Sequence, residues 1–276
     1  MTEPVRKTLF HEPEETDDGP DAPVVQRWRE RPDGGMELLE FPLTPELFLD
    51  PRIGDKMVQG GPHSLAVHDL FTRLLRWASR HSDVRVQSDV KYLLGPGLAK
   101  PVPDISVVRG LANPRRSFTS YNVRKERIPP CLLLEVVSPG SARIRNVDEQ
   151  DKVVHYQKAG ILEYLLLDLP RPGNQHRHGF HGYRLDPTGR YRPIEPDAEG
   201  LLPSETTRLR FGVSPDGQSL LVFDDEVRET LLSELEESEA RRRAEKEARR
   251  EAQARMEAEQ EIAHLRAEID RLRGGS

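Results

Sequence analysis

Apolar residues recur with a helical period in residues 62–80, which predicts an amphipathic helix with Pro62 in its first turn. The members of the apolar stripe are Leu65, Leu70, Leu74, Trp77 and Ala78. Partly alternating and short apolar runs follow at residues 84–94 and 104–110, so we expect two or three strands there. The Arg-rich segment 113–130 shows neither pattern and is interpreted as a loop or a poorly ordered excursion.

A strand, a helix and a second strand are predicted between residues 129 and 169. The apolar run 132–137 is interrupted only by Glu135 and is typical of a strand buried on both faces. The next segment offers a helical face made of Val147, Val154 and either the ring of Tyr156 or the stem of Lys158. Gly160 is the expected C-cap of this helix, and residues 163–169 form another apolar strand. Such a crossover favours a mixed sheet.

Two hairpins are predicted after this unit. One surrounds the turn 186–189, and the second surrounds the turn 215–217. Together these patterns predict an α/β fold over residues 23–225, with a central mixed sheet flanked by helices.

The segment from Val227 to Gly274 contains no proline and no glycine before its last residue, and it is rich in Ala, Glu, Arg and Leu. We therefore expect residues 226–276 to form a long charged helical tail. The spacing of a coiled-coil seam is limited to Ala258, Ile262, Leu265, Ile269 and Leu272. This pattern leaves two interpretations open, a homo-oligomer formed through the C-terminal helix or a solitary charged helix.

Charge is distributed unevenly along the chain. Residues 1–22 contain seven acidic and two basic residues with little apolar content, which predicts a disordered acidic tail. Residues 226–273 contain 14 acidic and 11 basic residues. Because the whole chain has a net charge of −6, the middle of the chain is mildly basic, and this permits a polyanionic partner.

Cys131 is the single cysteine, which excludes an intramolecular disulfide and a cysteine-based zinc site. The chain also shows no apolar signal segment at its start and no run of about 18 apolar residues. These features favour a soluble protein of the reducing cytoplasm that does not bind a membrane.

Glu135 is a carboxylate inside an otherwise apolar strand, and burying it costs several kcal/mol unless a partner compensates the charge. One interpretation places it at the sheet edge, solvated or paired with an arginine. In the other, Asp104 at the start of a neighbouring strand joins Glu135 to bind a hard divalent cation such as Mg²⁺ or Mn²⁺. Lys152, on the following helix, would then position a water molecule or offset charge on a phosphate.

Three segments, "PDISVV", "LLLEVVSPGS" and "DKVVHYQKAGILEYLLLD", resemble the Uma-two family of putative restriction endonucleases, within the PD-(D/E)XK nuclease superfamily. The resemblance covers about residues 35–225 and implies a nuclease-like fold. It implies that Asp104 and Glu135 are metal ligands and that the carbonyl of Val136 is a further ligand.

The chain departs from the superfamily pattern at one position. The lysine expected two residues after the glutamate is replaced by Val137, and the resemblance implies that Lys152 takes its place. An acidic residue of the first helix often completes such sites, and Asp69 and His63 are the candidates in this sequence.

The resemblance implies a Mg²⁺-dependent endonuclease that hydrolyses phosphodiester bonds of nucleic acid, with DNA as the expected substrate. The alternative is a catalytically inactive nuclease fold that serves as an interaction module and assembles through its C-terminal helix. Binding of Mg²⁺ or Mn²⁺ distinguishes the two hypotheses, because the module requires no ion.

Overall fold

The computed structural model describes residues 23–58, 60–137, 142–169, 179–214 and 219–274. Residues 1–22, for which a disordered acidic tail is predicted, and the turn 215–217 lie outside the described residues. The chain divides into two compact units, residues 1–231 and 232–276.

The first unit contains five helices and 15 strands within its described residues. The helices are α1 (Pro45–Leu49), α2 (Gly61–Ala78), α3 (Val123–Glu126), α4 (Ala142–Asn146) and α5 (Lys152–Ala159), and a π-helical turn, Val147–Asp151, joins α4 to α5. The strands are β1 (Val24–Glu30), β2 (Met36–Pro42), β3 (Lys56–Val58), β4 (Val84–Gln87), β5 (Lys91–Leu93), β6 (Ile105–Arg109), β7 (Ser120–Asn122), β8 (Leu132–Val137), β9 (Glu163–Asp168), β10 (Gly179–Leu185), β11 (Tyr191–Pro193), β12 (Leu202–Pro203), β13 (Leu209–Val213), β14 (Leu220–Asp224) and β15 (Glu229–Thr230).

The largest sheet has six strands in the order β11-β10-β9-β8-β6-β4. Strands β8 and β9 are parallel and are joined by the helical segment between them, whereas the other neighbouring pairs are antiparallel. The predicted mixed sheet and the α/β fold class are therefore confirmed. The β10–β11 and β13–β14 pairs form the two predicted hairpins.

Smaller sheets have the orders β2-β1-β3 and β12-β13-β14-β15, and β5 pairs in parallel with β7.

Every residue of β8 is buried, and alternation sends its side chains into two cores. Leu132, Leu134 and Val136 face a core that α2 covers with Leu70, Leu74 and Trp77. Leu133 and Val137 face the opposite core, which contains Tyr156 of α5 and Tyr164 of β9. Glu135 shares the parity of Leu133 and Val137, so the strand directs it towards α5.

Two sequence-based predictions in this unit were wrong. Leu65 is 72% exposed, because it lies five residues before Leu70 and therefore about 140° away from the buried face of α2. The segment 113–130 contains β7 and α3, which Asn122 caps by accepting a bond from the amide of Lys125 at 3.0 Å.

The prediction that Val147 and Val154 lie on the same face of one helix was also wrong. Val147 is 1% exposed and Val154 is 47% exposed. These residues would share a face of a regular α-helix, but the π-helical turn adds a residue to one turn and rotates α5 relative to α4.

The second unit contains one helix, α6 (Glu234–Gly274), which begins eight residues after the predicted start of the helical tail at residue 226. The Oγ of Ser233 accepts a bond from the amide of Glu236 at 3.2 Å, and the carboxylate of Glu236 accepts one from the amide of Ser233 at 2.7 Å. This capping box fixes the start of the helix, whereas Val227 lies in a turn before β15.

Within the described residues, no helix is long and apolar enough to cross a membrane.

Candidate active site

Reciprocal hydrogen bonds connect the start of β6 to β8. The backbone amide of Asp104 donates to Glu135 Oε2 at 3.2 Å, and the amide of Val136 donates to Asp104 Oδ2 at 2.8 Å. The antiparallel register pairs Ile105 with Leu134, so Asp104 lies beside Glu135 just before β6 begins. The two strands therefore hold both carboxylates at one point of the sheet.

Lys152 lies opposite Glu135 as the first residue of α5. Its Nζ donates to Glu135 Oε1 at 2.8 Å, and Asp148 Oδ1 lies 2.8 Å from the same nitrogen. The contact with Asp148 is a second ion pair of the same ammonium group. All three side chains are almost fully excluded from solvent.

The π-helical turn brings Asp148 and Lys152 together. The amide of Lys152 bonds to the carbonyl of Val147, five residues earlier, which is the spacing of a π-helix. Asp148 was not singled out in the sequence analysis. Its position four residues before Lys152 is a detectable signal, because residues at this spacing are neighbours on a helix.

Aromatic side chains complete the surroundings of the ion pair. The hydroxyl of Tyr156 donates to Glu135 Oε1 at 3.1 Å, and Lys152 Nζ lies 3.8 Å from the centroid of the Phe48 ring. The ring of Tyr164 packs edge-on against Tyr156, and its hydroxyl donates to the carbonyl of Asp148 at 3.0 Å. These contacts fix the positions of the charged groups in a low-dielectric environment.

Burial dominates the protonation equilibria of this cluster. It raises the pKa of Glu135 to about 8 and the pKa of Asp148 to about 6, although the ammonium of Lys152 opposes both shifts. Burial alone would lower the pKa of Lys152, but the charges of Asp148 and Glu135 outweigh it and raise that pKa above its ordinary value. Lys152 is therefore an ammonium ion at neutral pH.

His63 lies near the start of α2, and its Nε2 is 3.1 Å from Asp104 Oδ2. A carboxylate oxygen accepts hydrogen bonds, so this contact is a hydrogen bond in the tautomer whose proton is on Nε2. His63 and Asp104 both line a cleft of about 750 Å³ between the segment 51–57, α2 and the start of β6. Asp104 is thus the carboxylate of the cluster that faces the cleft.

Two other positions considered in the sequence analysis make different contacts. Asp69, also on α2, accepts bonds from Arg73 at 3.1 and 3.2 Å. Val137 occupies the place where the superfamily pattern has its lysine, and it is fully buried in an apolar core. An ammonium group reaches Glu135 from Lys152 instead.

The backbone of Val136 also faces this cluster. The carbonyls of Cys131 and Val137 accept bonds from the amides of Glu163 and Leu169 on the β9 side. Backbone groups alternate between the two sides of a strand, so the amide and carbonyl of Val136 point away from β9 and towards Asp104.

The donors of the cluster fit a hard divalent cation in kind, because carboxylate and carbonyl oxygens are the ligands that Mg²⁺ prefers. Asp104, Glu135 and the Val136 carbonyl supply such oxygens, and Asp148 adds another carboxylate. Within the described ranges, no group of three His, Cys, Asp or Glu side chains is arranged as a ready metal site. Lys152 Nζ instead contacts one oxygen of Glu135 and one of Asp148.

Glu163 shows how a buried carboxylate is held elsewhere in the domain. Ser204 Oγ and Thr206 Oγ1 each donate to it at 2.6 Å, the amide of Glu205 donates at 2.9 Å, and Arg184 Nε donates at 2.8 Å. Hydroxyls, amides and one guanidinium thus provide hydrogen bonds to both oxygens of the buried Glu163 carboxylate. Glu135 differs, because its neighbourhood concentrates several ionisable groups at a cleft.

No curated protein matches the chain. A solved structure, that of a putative nuclease belonging to DUF820 from Anabaena variabilis ATCC 29413, is 22% identical, covers 55% of this chain and 79% of its own, and has a TM-score of 0.39. The model of the Uma2 family, described as putative restriction endonuclease, matches residues 45–214. Because this match spans more than half of the chain, the protein belongs to the Uma2 family.

Proposed function

We propose that the protein is a Mg²⁺-dependent endonuclease that hydrolyses phosphodiester bonds in DNA. The observation that carries this proposal is the pair of carboxylates, Asp104 and Glu135, joined by reciprocal backbone bonds next to a buried ammonium at a cleft. Membership of the Uma2 family supports a nuclease-like function.

Asp104, Glu135 and the carbonyl of Val136 would hold the ion. When bound, a hard divalent ion polarises the scissile phosphate and lowers the pKa of a water molecule. Lys152 remains protonated, so its role is to stabilise negative charge and not to remove a proton. Asp148 holds Lys152 from the other side, and His63 orients Asp104 by donating to Oδ2.

The cleft that Asp104 faces has features that suit an anionic polymer. Arg52, Lys56 and His63 line it together with Asp55, Asp89 and Asp104, and Lys91, also in the lining, forms an ion pair with Asp50. Cationic side chains next to a catalytic carboxylate attract a phosphate backbone and offset its repulsion from the carboxylate. Arg52 and Lys56 are the cations of this cleft that support nucleic acid as the substrate class, and DNA is the form expected from the family description.

The direct test is cleavage of a mixed panel of DNA and RNA by the purified full chain, in Mg²⁺, in Mn²⁺ and in EDTA. We expect DNA cleavage with either ion, none in EDTA, and none by the isosteric Glu135→Gln variant. Equal cleavage by Glu135→Gln and wild type would contradict the proposal. Glu163→Gln is a matched control, because Glu163 is also buried in the sheet but lies in a separate hydrogen-bond network.

One observation favours a second candidate, the catalytically inactive interaction module. Lys152 already forms ion pairs with Glu135 and Asp148, and the described residues contain no ready set of three metal-binding side chains. Titration calorimetry with Mn²⁺ separates the candidates. The endonuclease binds the ion and loses that binding in Asp104→Asn, whereas the module gives no binding heat in either protein.

A further inference from the structure

The last two heptads of α6 carry apolar side chains that are about half exposed. Ile262, Leu265 and Ile269 are 50%, 47% and 46% exposed, and they follow one another at spacings of three and four residues. Ala258 precedes them and Leu272 follows at the same spacing, although the side chain of Leu272 lies outside the described residues. We call residues 258–273 the C-terminal seam.

The residue types of the seam indicate how many helices the coiled coil contains. In a heptad lettered a to g, Ile262 and Ile269 occupy the a positions, and Leu265 and Leu272 occupy the d positions. β-branched residues at a combined with leucine at d favour two-stranded parallel coiled coils over trimers and tetramers. The seam therefore fits one partner helix of similar sequence.

Charges beside the seam specify the partner and its direction. Glu261 and Glu268 occupy the g positions, and Arg266 and Arg273 occupy the e positions. In a parallel, in-register dimer each g residue faces the e residue five positions later in the partner, so both Glu residues meet Arg residues. An antiparallel dimer would place Glu against Glu and Arg against Arg.

The single chain leaves these charges available for such contacts. Glu261, Arg266 and Arg273 have no ion-pair partner among the described residues, and Glu268 reaches Arg271 only at 4.0 Å. By contrast, Arg255, just before the seam, forms an ion pair with Glu259 within the helix at 3.0 Å.

We propose that the C-terminal seam forms a parallel, in-register, two-stranded coiled coil with a second copy of this chain. The occupant of the apolar stripe is a second copy because the two sides of the stripe are complementary to each other. This dimer does not depend on the endonuclease activity, and it joins two nuclease-like domains in one particle.

Light scattering of the full chain across a range of concentrations tests the association. We expect a mass that rises to twice the chain mass, and about one chain mass at every concentration for Leu265→Glu. Ala267→Glu is the matched control, because it adds the same charge on the outer face, and it should dimerise like wild type. A wild-type mass of one chain throughout would overturn the proposal.

Cysteine cross-linking tests the register. Ala258→Cys places thiols opposite each other only when the helices are parallel and in register, since an antiparallel pair would bring residue 258 towards the other end of the seam. With oxidised glutathione we expect Ala258→Cys to form disulfide-linked dimers roughly 10²-fold faster than Gln260→Cys on the outer face. Cys131 is buried and is present in both variants. Equal rates would overturn the register.

Charge exchange tests the direction. A variant with Glu261→Arg, Glu268→Arg, Arg266→Glu and Arg273→Glu keeps complementary g and e positions and should dimerise with itself. Mixed with wild type, it would face like charges in a parallel dimer and opposite charges in an antiparallel one. We expect the two proteins not to form mixed dimers in native mass spectrometry, and efficient mixing would overturn the parallel arrangement.

Discussion

Lys152 Nζ lies 2.8 Å from Glu135 Oε1, and the two side chains are 1% and 2% exposed. Removing one member of such a buried ion pair leaves the other charge without compensation, which costs more than the pair contributes. Substitutions of Lys152 and Glu135 should therefore affect the stability and the activity of the domain in different ways.

Lys152→Met should destabilise the domain by about 3 to 5 kcal/mol, because Glu135 and Asp148 lose their shared cation. Cleavage by the protein that remains folded should fall by roughly 10²-fold or more. Urea unfolding measures the first effect, and single-turnover cleavage measures the second. Lys158→Met is the control, because Lys158 is exposed on the same helix and should change unfolding by less than about 0.5 kcal/mol.

A double variant tests the same buried pair in a second way. Above about pH 8, where Glu135 ionises, Glu135→Gln in the Lys152→Met background should recover part of the lost stability, since it removes one of the two uncompensated carboxylates. Activity should not recover. A double variant less stable than Lys152→Met alone would contradict the charge-compensation argument.

Stability should depend on pH through Glu135. A carboxyl whose folded pKa is raised contributes stability below its unfolded pKa and loses it as the pH rises through its folded pKa. The pKa of Glu135 rises from 4.5 to about 8 in the folded domain, so wild type without divalent ions should lose stability over this interval.

Glu135→Gln remains neutral and isolates this contribution. The unfolding free energy of Glu135→Gln minus that of wild type should increase with pH and level off above about 8. Urea unfolding in EDTA from about pH 5 to about pH 9 measures this difference. A difference that is constant, or that shrinks with rising pH, would show that burial does not raise this pKa.

Tyr156→Phe removes a buried hydrogen bond to Glu135 Oε1, whereas Tyr191→Phe removes a buried hydroxyl with no partner among the described residues. We expect Tyr156→Phe to cost about 1 to 2 kcal/mol and Tyr191→Phe to be neutral or slightly stabilising. Thermal unfolding of the two variants compares them directly. The reverse order would mean that the hydroxyl of Tyr156 does not support the carboxylate.

His63→Ala should lower the cleavage rate by about 10-fold to 10²-fold without unfolding the domain, because Asp104 Oδ2 loses the donor that orients it. The metal concentration needed for half-maximal rate should rise as well. His68→Ala is the control, since His68 lines the same cleft on the same helix. Equal losses in both variants would point to a general effect of the cleft wall.

Much of the framework was predictable from sequence. The apolar runs of β8 and β9 stand out because a central strand is buried on both faces, and the helical segment between them identifies the crossover. The same reasoning identified Glu135 as a carboxylate whose burial in an apolar strand is unfavourable without a compensating partner. Asp104 and Lys152 were proposed from their places at the start of a neighbouring strand and on the following helix, the family resemblance agreed, and the structure brings both into contact with Glu135.

The sequence analysis did not predict the remaining features, for physical reasons. Helical periodicity assumes a constant rotation per residue, so it cannot detect a π-helical turn and it assigned Val154 to the wrong face. Asp148 was overlooked because the pattern of apolar residues carries no information about buried charges. The start of α6 was predictable in principle, since Ser233 and Glu236 have the spacing of a capping box.

The network around Glu163 has a consequence for folding kinetics. Its partners at residues 204–206 follow 41 to 43 residues later in the chain, so these bonds close a long loop. Closing such a loop costs chain entropy before its contacts form, so we expect these bonds to form late on the folding pathway. A late contact acts mainly on the unfolding rate. A substitution that weakens the hydrogen bonds of Glu163 would therefore speed up unfolding of the domain while leaving its folding rate almost unchanged.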